Sequence, residues 1–194
     1  MSRETDEIAR RRADLRKRLI TERLELAPAV RAAAERAIVR ALITHFGLAN
    51  PGVVAGFWPH QGEPSVHGAL LRVIDLGGQI AMPAPALPRE PMEFRSWGPR
   101  SKMVPGLGGV LQPASGRPLR PDLLLIPMVG FDAKGYRLGY GGGYYDRTLA
   151  ALAPRPPTIG VAFERARLRD LDPQVHDIAL DAIVTEEGFR PIKR

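Results

Sequence analysis

Residues 122–147, DLLLIPMVGFDAKGYRLGYGGGYYDR, decide how this chain folds. Leu123, Leu124, Leu125 and Ile126 form an unbroken apolar run that ends at Pro127, the pattern of a strand buried on both faces. A turn is expected at Ala133-Lys134-Gly135. Arg137, Gly139, Gly141, Gly142, Gly143, Tyr144, Tyr145 and Asp146 follow, and from Tyr144 to Leu152 the composition is helical. Strand, glycine-rich loop and helix start, in that order, present backbone N–H groups to a phosphate. Glycines let the backbone approach a ligand with no Cβ in the way. Arg137 adds a planar charge able to hold phosphate through two hydrogen bonds. The glycines alone fit a mobile surface loop equally well. No Gly-Lys-Ser/Thr closes the loop, so it is not a Walker loop. No acid about twenty residues on ends a second strand, so it is not a dinucleotide fingerprint either.

Moving outward, residues 4 to 25 read as an amphipathic helix with Ile8, Leu15, Leu19 and Leu26 roughly on one side. Arg12 and Arg16, four apart, share a face. A second helix is expected from Pro28 to Phe46, with Val30, Ala34, Ala37, Ala41, Leu42 and His45 at helical spacing and Gly47 as its stop. Val53 to Trp58 reads as a buried strand. The loop after it carries Trp58, His60 and Glu63 at a place where ligands gather, although from the residues alone Glu63 reads first as a cap for a helix opening at Pro64-Ser65. A third helix is expected over Val66 to Leu76 and a strand over Gln79 to Met82. Met103 to Pro113 reads as an irregular crossing segment. Thr158 to Phe163 and Ala182 to Thr185 are further strands, the latter the last. Strands alternate with helices throughout. The expectation is therefore α/β: a mainly parallel sheet with helices on both faces, in a single three-layer domain over residues 1–194.

At 194 residues the chain can close one full core. It has no cysteine, which excludes disulfides, thiolate metal sites and a cysteine nucleophile. No membrane-span-length apolar run and no signal peptide is visible, so a soluble cytoplasmic protein is expected. The net charge is +7, and the first forty residues hold eleven Lys/Arg against seven Asp/Glu. That charge suits a solvated arginine-rich helix, attraction of anionic small ligands, or nucleic acid. No aromatic residues interleave with the early arginines, which argues against single-strand binding.

Arg137-Leu-Gly-Tyr-Gly-Gly-Gly-Tyr-Tyr-Asp146 resembles the signature of the 5-formyltetrahydrofolate cyclo-ligase (methenyltetrahydrofolate synthetase) family. Arg12-Ala-Asp-Leu15-Arg16 resembles its N-terminal Lys-x-x-Leu-Arg motif, with Arg12 in place of lysine. Met92-Glu93-Phe94 resembles its Met-x-Phe strand, and His176-Asp177 its His/Asn-Asp pair. Two positions depart from the family pattern: Gln112-Pro113 stands for Glu-Pro, and Ala166 for a glutamine. The resemblance implies an enzyme that makes 5,10-methenyltetrahydrofolate from 5-formyltetrahydrofolate, with ATP as co-substrate and magnesium. It implies that Arg12, Arg16, Arg137, Gly139, Tyr140, Gly141, Gly142, Gly143, Tyr144 and Tyr145 bind ATP. It implies folate contacts from Trp58, Glu63, Tyr140, Gly141, Gly142, Gly143 and Tyr144, catalytic roles for Arg137 and Tyr144, and a magnesium ion shared by Asp146 and Asp177. Taken alone, either aspartate reads as a turn or helix-end residue, and either tyrosine as core. The partners expected are ATP and a small-molecule folate, with no nucleic acid and no membrane, in a monomer. The alternative is a non-catalytic folate- or nucleotide-binding relative with a regulatory role, made conceivable by Gln112 and Ala166.

Overall fold

The computed structural model describes residues 3–47 and 49–193. Helix α1 spans Arg3–Leu24 and α2 spans Pro28–Phe46. The strands that follow are β1 (Val53–Ala55), β2 (Gln79–Ala84) after helix α3 (His67–Asp75), and β3 (Glu93–Trp97). A small hairpin, β4 (Met103–Pro105) with β5 (Leu111–Pro113), precedes β6 (Leu123–Pro127). A second, β7 (Gly130–Phe131) with β8 (Arg137–Leu138), leads to helix α4 (Tyr144–Ala151). Strands β9 (Thr158–Val161), β10 (Ala182–Thr185) and β11 (Gly188–Pro191) complete the chain.

Seven strands form one sheet in the order β11-β10-β9-β6-β1-β2-β3. The five inner strands are parallel, and β3 and β11 fold back antiparallel at the two edges. The mainly parallel α/β sheet read from the sequence is therefore the sheet observed. The alternation of side chains along each strand splits the core in two. Val54, Ile80, Leu125, Ile159, Val161 and Val184 pack with α2 and α3. Ala55, Ala81, Leu124, Ile126 and Ile183 face the other way, with Leu149 of α4 and Phe131. Register enforces the split: Val54 pairs Ile80 and Ala55 pairs Ala81, so partners share a face. Helix α1 docks through Leu19 onto Val129, Leu138 and Leu171. A Cβ on Gly130 would lie 2.8 Å from Leu19, so that glycine admits the helix.

Three details differ from the sequence reading. The buried stripe of α2 is Ala34, Ile38, Leu42 and Phe46, a strict i,i+4 row, while Val30 on the first turn is exposed. Met103 to Pro113 is an ordered hairpin whose strands are only three residues long, too short to show a period, and Gly106 N–H closes it onto the Val110 carbonyl at 2.8 Å. The sheet gains a last strand, β11, whose mixed burial hides it from a hydrophobicity pattern. The turn at Ala133-Lys134 forms as expected, because Asp132 Oδ1 accepts hydrogen bonds from the N–H groups of Lys134 and Tyr136 at 2.9 and 3.0 Å. Among the described residues no helix is long and apolar enough to cross a membrane.

From β1 the chain moves outward to β2 and β3, then returns to the opposite side of β1 as β6. The order reverses between β1 and β6, and ligands in open α/β sheets collect at the carboxyl ends of strands at such a point.

Candidate active site

A cavity of about 510 Å³ lies beside the carboxyl ends of β1 and β6. Phe57, Trp58, Met92, Tyr144 and Tyr145 supply its apolar and aromatic wall, and Leu107, Gly108, Val110, Leu111 and Gln112 of the β4–β5 hairpin supply another part. Glu63 is its one acid besides Asp146, and it is only 3% exposed. It caps no helix: α3 opens at His67, with Val66 making no side-chain cap. Instead Oε2 accepts the His60 N–H at 2.9 Å, and Oε1 accepts the Tyr140 hydroxyl at 2.8 Å. Burial pushes the Glu63 carboxyl up to about 7, against the pull of those two donors and the nearby Arg23 charge. Each oxygen has taken one donor and can take another, so the ionised group has room for two ligand N–H groups. Trp58 stands edge-on to His67 at 4.6 Å between ring centres.

The glycine loop separates this cavity from a second one of about 550 Å³, bounded by Gly141, Gly142, Gly143, Asp146, Arg147, Val175, His176 and Ile178. Gly141 and Gly143 have φ of 93° and 63°, a region that favours glycine. Gly143 sits at the start of α4, so the helix's free N–H groups and positive end lie at the loop. Arg16 donates Nε to the Gly139 carbonyl at 2.7 Å, and its guanidinium lies about 3.4 Å from where a Cβ on Gly141 would be. Burial, with the Arg12 charge second, lowers the pKa of Arg16. Arg16 has no carboxylate partner among the described residues, so a cation lies against the loop with nothing to balance it. Arg147 is a second such cation: it donates Nη2 to the Gly142 carbonyl at 2.5 Å, lies 5.2 Å from the Tyr144 ring centre, and has a buried Nε without a partner among the described residues.

The other predicted charges are paired. Arg137 is buried and donates Nη2 to Asp146 Oδ1 at 2.6 Å and Nη1 to the Ile178 carbonyl at 2.7 Å. The same Asp146 oxygen accepts the Ile178 N–H at 3.1 Å. Asp177 Oδ2 accepts Arg12 Nη1 at 2.8 Å and the Gln174 N–H at 2.9 Å. The structure thus ties Asp146 to Arg137 and Asp177 to Arg12. Each aspartate keeps one oxygen, Oδ2 and Oδ1 respectively, with no hydrogen bond from the described residues. Among those residues no group of three or more His, Cys, Asp or Glu could hold a metal. Two partly used carboxylates still fit a hard cation that completes its shell with water and phosphate. Tyr145 packs into the core against the sheet, and burial raises its pKa; Tyr144 lines the cavity.

The two departures sit differently. Gln112 lines the first cavity, and its buried Oε1 has no donor among the described residues. Ala166 is buried in the core and forms no part of either cavity wall. Two site residues escaped the sequence reading. Arg147 closes the signature stretch, but its turn toward the loop depends on helix phase. Arg23 was hidden among many arginines in α1. It is 4% exposed and donates to the Tyr140 hydroxyl at 2.7 Å, to the Gln61 carbonyl at 3.0 Å and to the Met128 carbonyl at 3.3 Å.

The sequence model of the 5-formyltetrahydrofolate cyclo-ligase family matches residues 8–186. A 5-formyltetrahydrofolate cyclo-ligase of Mycolicibacterium smegmatis is 26% identical over 185 residues, 91% of this chain and 94% of that protein. One of Mycoplasma pneumoniae is 43% identical over 70 residues, 36% of this chain and 42% of that protein. The NMR structure of the Aquifex aeolicus 5,10-methenyltetrahydrofolate synthetase superposes with a TM-score of 0.76 at 26% identity, covering 94% of this chain and 93% of that one.

Proposed function

The chain belongs to the 5-formyltetrahydrofolate cyclo-ligase family, and we propose that it converts 5-formyltetrahydrofolate to 5,10-methenyltetrahydrofolate while ATP becomes ADP and phosphate, in a magnesium-dependent reaction. One observation carries the reading. The glycine loop divides an aromatic cavity holding a buried glutamate from a cavity lined by Arg147, with Arg16 set against the loop at Gly139 and Gly141. The first suits a pterin ring and the second a triphosphate.

The chemistry explains why the two must meet. To close the ring, folate N10 must attack the formyl carbon, and an amide oxygen leaves poorly. The formyl oxygen first takes the γ-phosphoryl group, and ADP departs. N10 then bonds to the formyl carbon, the carbon–oxygen bond breaks with phosphate leaving, and N10 gives up its proton. Such a transfer rests on positioning and charge neutralisation, with no side-chain nucleophile.

In this proposal Glu63 accepts the pterin N–H groups, and Trp58 and Tyr144 wall the ring. Arg12, Arg16 and the N–H groups of Gly139 to Gly143 hold the phosphates, and Arg147 joins them, while the Tyr140 hydroxyl is turned to Glu63 on the folate side. Arg137 acts at one remove, because its guanidinium is spent on Asp146 and Ile178. Asp146 and Asp177 would hold magnesium through their remaining oxygens. Magnesium bound there supplies charge neutralisation on the phosphate oxygens. The test is the absorbance of methenyltetrahydrofolate, which should appear only with ATP and a divalent metal together. Equal turnover without ATP, or none with any metal, would overturn the proposal. Tight binding of both ligands without turnover would favour the regulatory relative.

A further inference from the structure

Glu63 is a buried acid that touches no cation among the described residues. Among the described residues its oxygens meet only the His60 N–H and the Tyr140 hydroxyl. The nearest stabilising charge, Arg23, reaches it through a third group: Arg23 Nη2 donates to the Tyr140 oxygen at 2.7 Å, and the Tyr140 proton has Glu63 Oε1 at 2.8 Å as its nearer, charged acceptor, ahead of the His60 carbonyl at 3.2 Å. These three residues come from α1, the glycine loop and the loop after β1, so the arrangement exists only in the folded chain. The remaining guanidinium N–H groups are anchored on the carbonyls of Gln61 and Met128, which fixes the charge in place. An oxygen that already accepts from a guanidinium is a stronger donor through its own proton, because chained hydrogen bonds polarise one another.

We propose that Arg23 is a positioning residue for the folate substrate, acting through Tyr140 to keep Glu63 ionised and aimed at the pterin N–H groups. The proposal rests on the folate reading above and extends it to a side chain that never touches substrate. A protonated Glu63 would offer one of its oxygens as a donor, where the pterin needs acceptors. Burial drives Glu63 toward that protonated form, with its carboxyl raised to about 7. The charge on Arg23 opposes the drift. The other groups facing Glu63 do not replace it. His60 on the same loop has its own pKa lowered, by burial and then by Arg23. Tyr145 of α4 is held neutral by burial.

The experiment is the pH profile of kcat/KM for 5-formyltetrahydrofolate, at saturating ATP and magnesium, for the wild type, Arg23→Gln and Tyr140→Phe. The wild type should gain activity with a rising limb near neutral pH as Glu63 ionises. In both variants the limb should move up by about one pH unit, the lower end expected for losing a nearby opposite charge. Turnover at pH 6 should then fall about tenfold further than turnover at pH 9. If Arg23→Gln does not fold, Arg23→Lys takes its place: a lysine cannot hold the Gln61 and Met128 carbonyls and the Tyr140 oxygen together, so the limb should still move up, and an unmoved limb overturns the relay. A uniform loss at every pH, or an unmoved limb, overturns the relay while the folate reading stands. No turnover by the wild type at any pH overturns that reading and the relay with it.

Discussion

Replacing Glu63 by Gln should make the protein more stable and less active. A carboxyl whose ordinary value is 4.5 is raised to about 7 in the folded chain. The folded state therefore binds the proton more tightly than the unfolded chain does. Stability from this group is fully present below pH ~4.5, falls as pH rises, and is lost by pH ~7. At ~1.4 kcal/mol per pH unit, the span amounts to about 3 kcal/mol by pH 8. Glutamine carries no such penalty. It keeps one oxygen for the His60 N–H, but its amide must face Tyr140, which has to turn its proton elsewhere. That mismatch costs about 1 kcal/mol, leaving a gain of roughly 1–2 kcal/mol. For a chain of this length the gain should raise Tm by about 2–8 °C. Thermal unfolding of both proteins at pH 5 and pH 8 reads it directly. The Gln variant should be the more stable at pH 8, with the difference vanishing at pH 5, while folate turnover falls at least tenfold. A Gln variant that is less stable at pH 8, or that differs equally at both pH values, would refute the reasoning.

Three further outcomes follow from the paired charges. Arg137→Lys keeps the charge but cannot reach both Asp146 and the Ile178 carbonyl, so it should lose about 1.5–3 kcal/mol of stability in denaturant unfolding; unchanged stability would return Arg137 to direct phosphate binding. Arg16→Gln should raise KM for ATP about ten- to a hundredfold, the value of one charge-assisted hydrogen bond, with a smaller change in KM for folate; equal effects on both would count against a phosphate role. Asp146→Asn and Asp177→Asn should each raise the magnesium concentration needed for half-maximal rate, and a metal titration unchanged in either would remove that aspartate from the site.

The sequence made the sheet and the loop legible for a physical reason. The Leu123–Ile126 run and the glycines at 139 and 141–143 state their constraints locally, through hydrophobicity and backbone freedom. Partnerships across the fold were not legible. Arg137 looks like a phosphate ligand by type, yet its partners are an acid nine residues on and a carbonyl 41 residues on, brought near only by packing. Tyr140 and Glu63 meet across 77 positions. Arg23 cannot be told from its neighbours in an arginine-rich helix until α1 docks by Leu19 and buries that one guanidinium. The β4–β5 hairpin, which brings Gln112 to the cavity, has strands too short to leave a period.

The central claim is that one phosphoryl transfer drives one ring closure, and a single reaction mixture tests it. With the protein, 5-formyltetrahydrofolate, ATP and magnesium together, ADP and 5,10-methenyltetrahydrofolate should form at the same rate and in equal amounts. ADP should not form when the folate is omitted. ADP release that ignores the folate, or methenyl product that outruns ADP, would contradict the account.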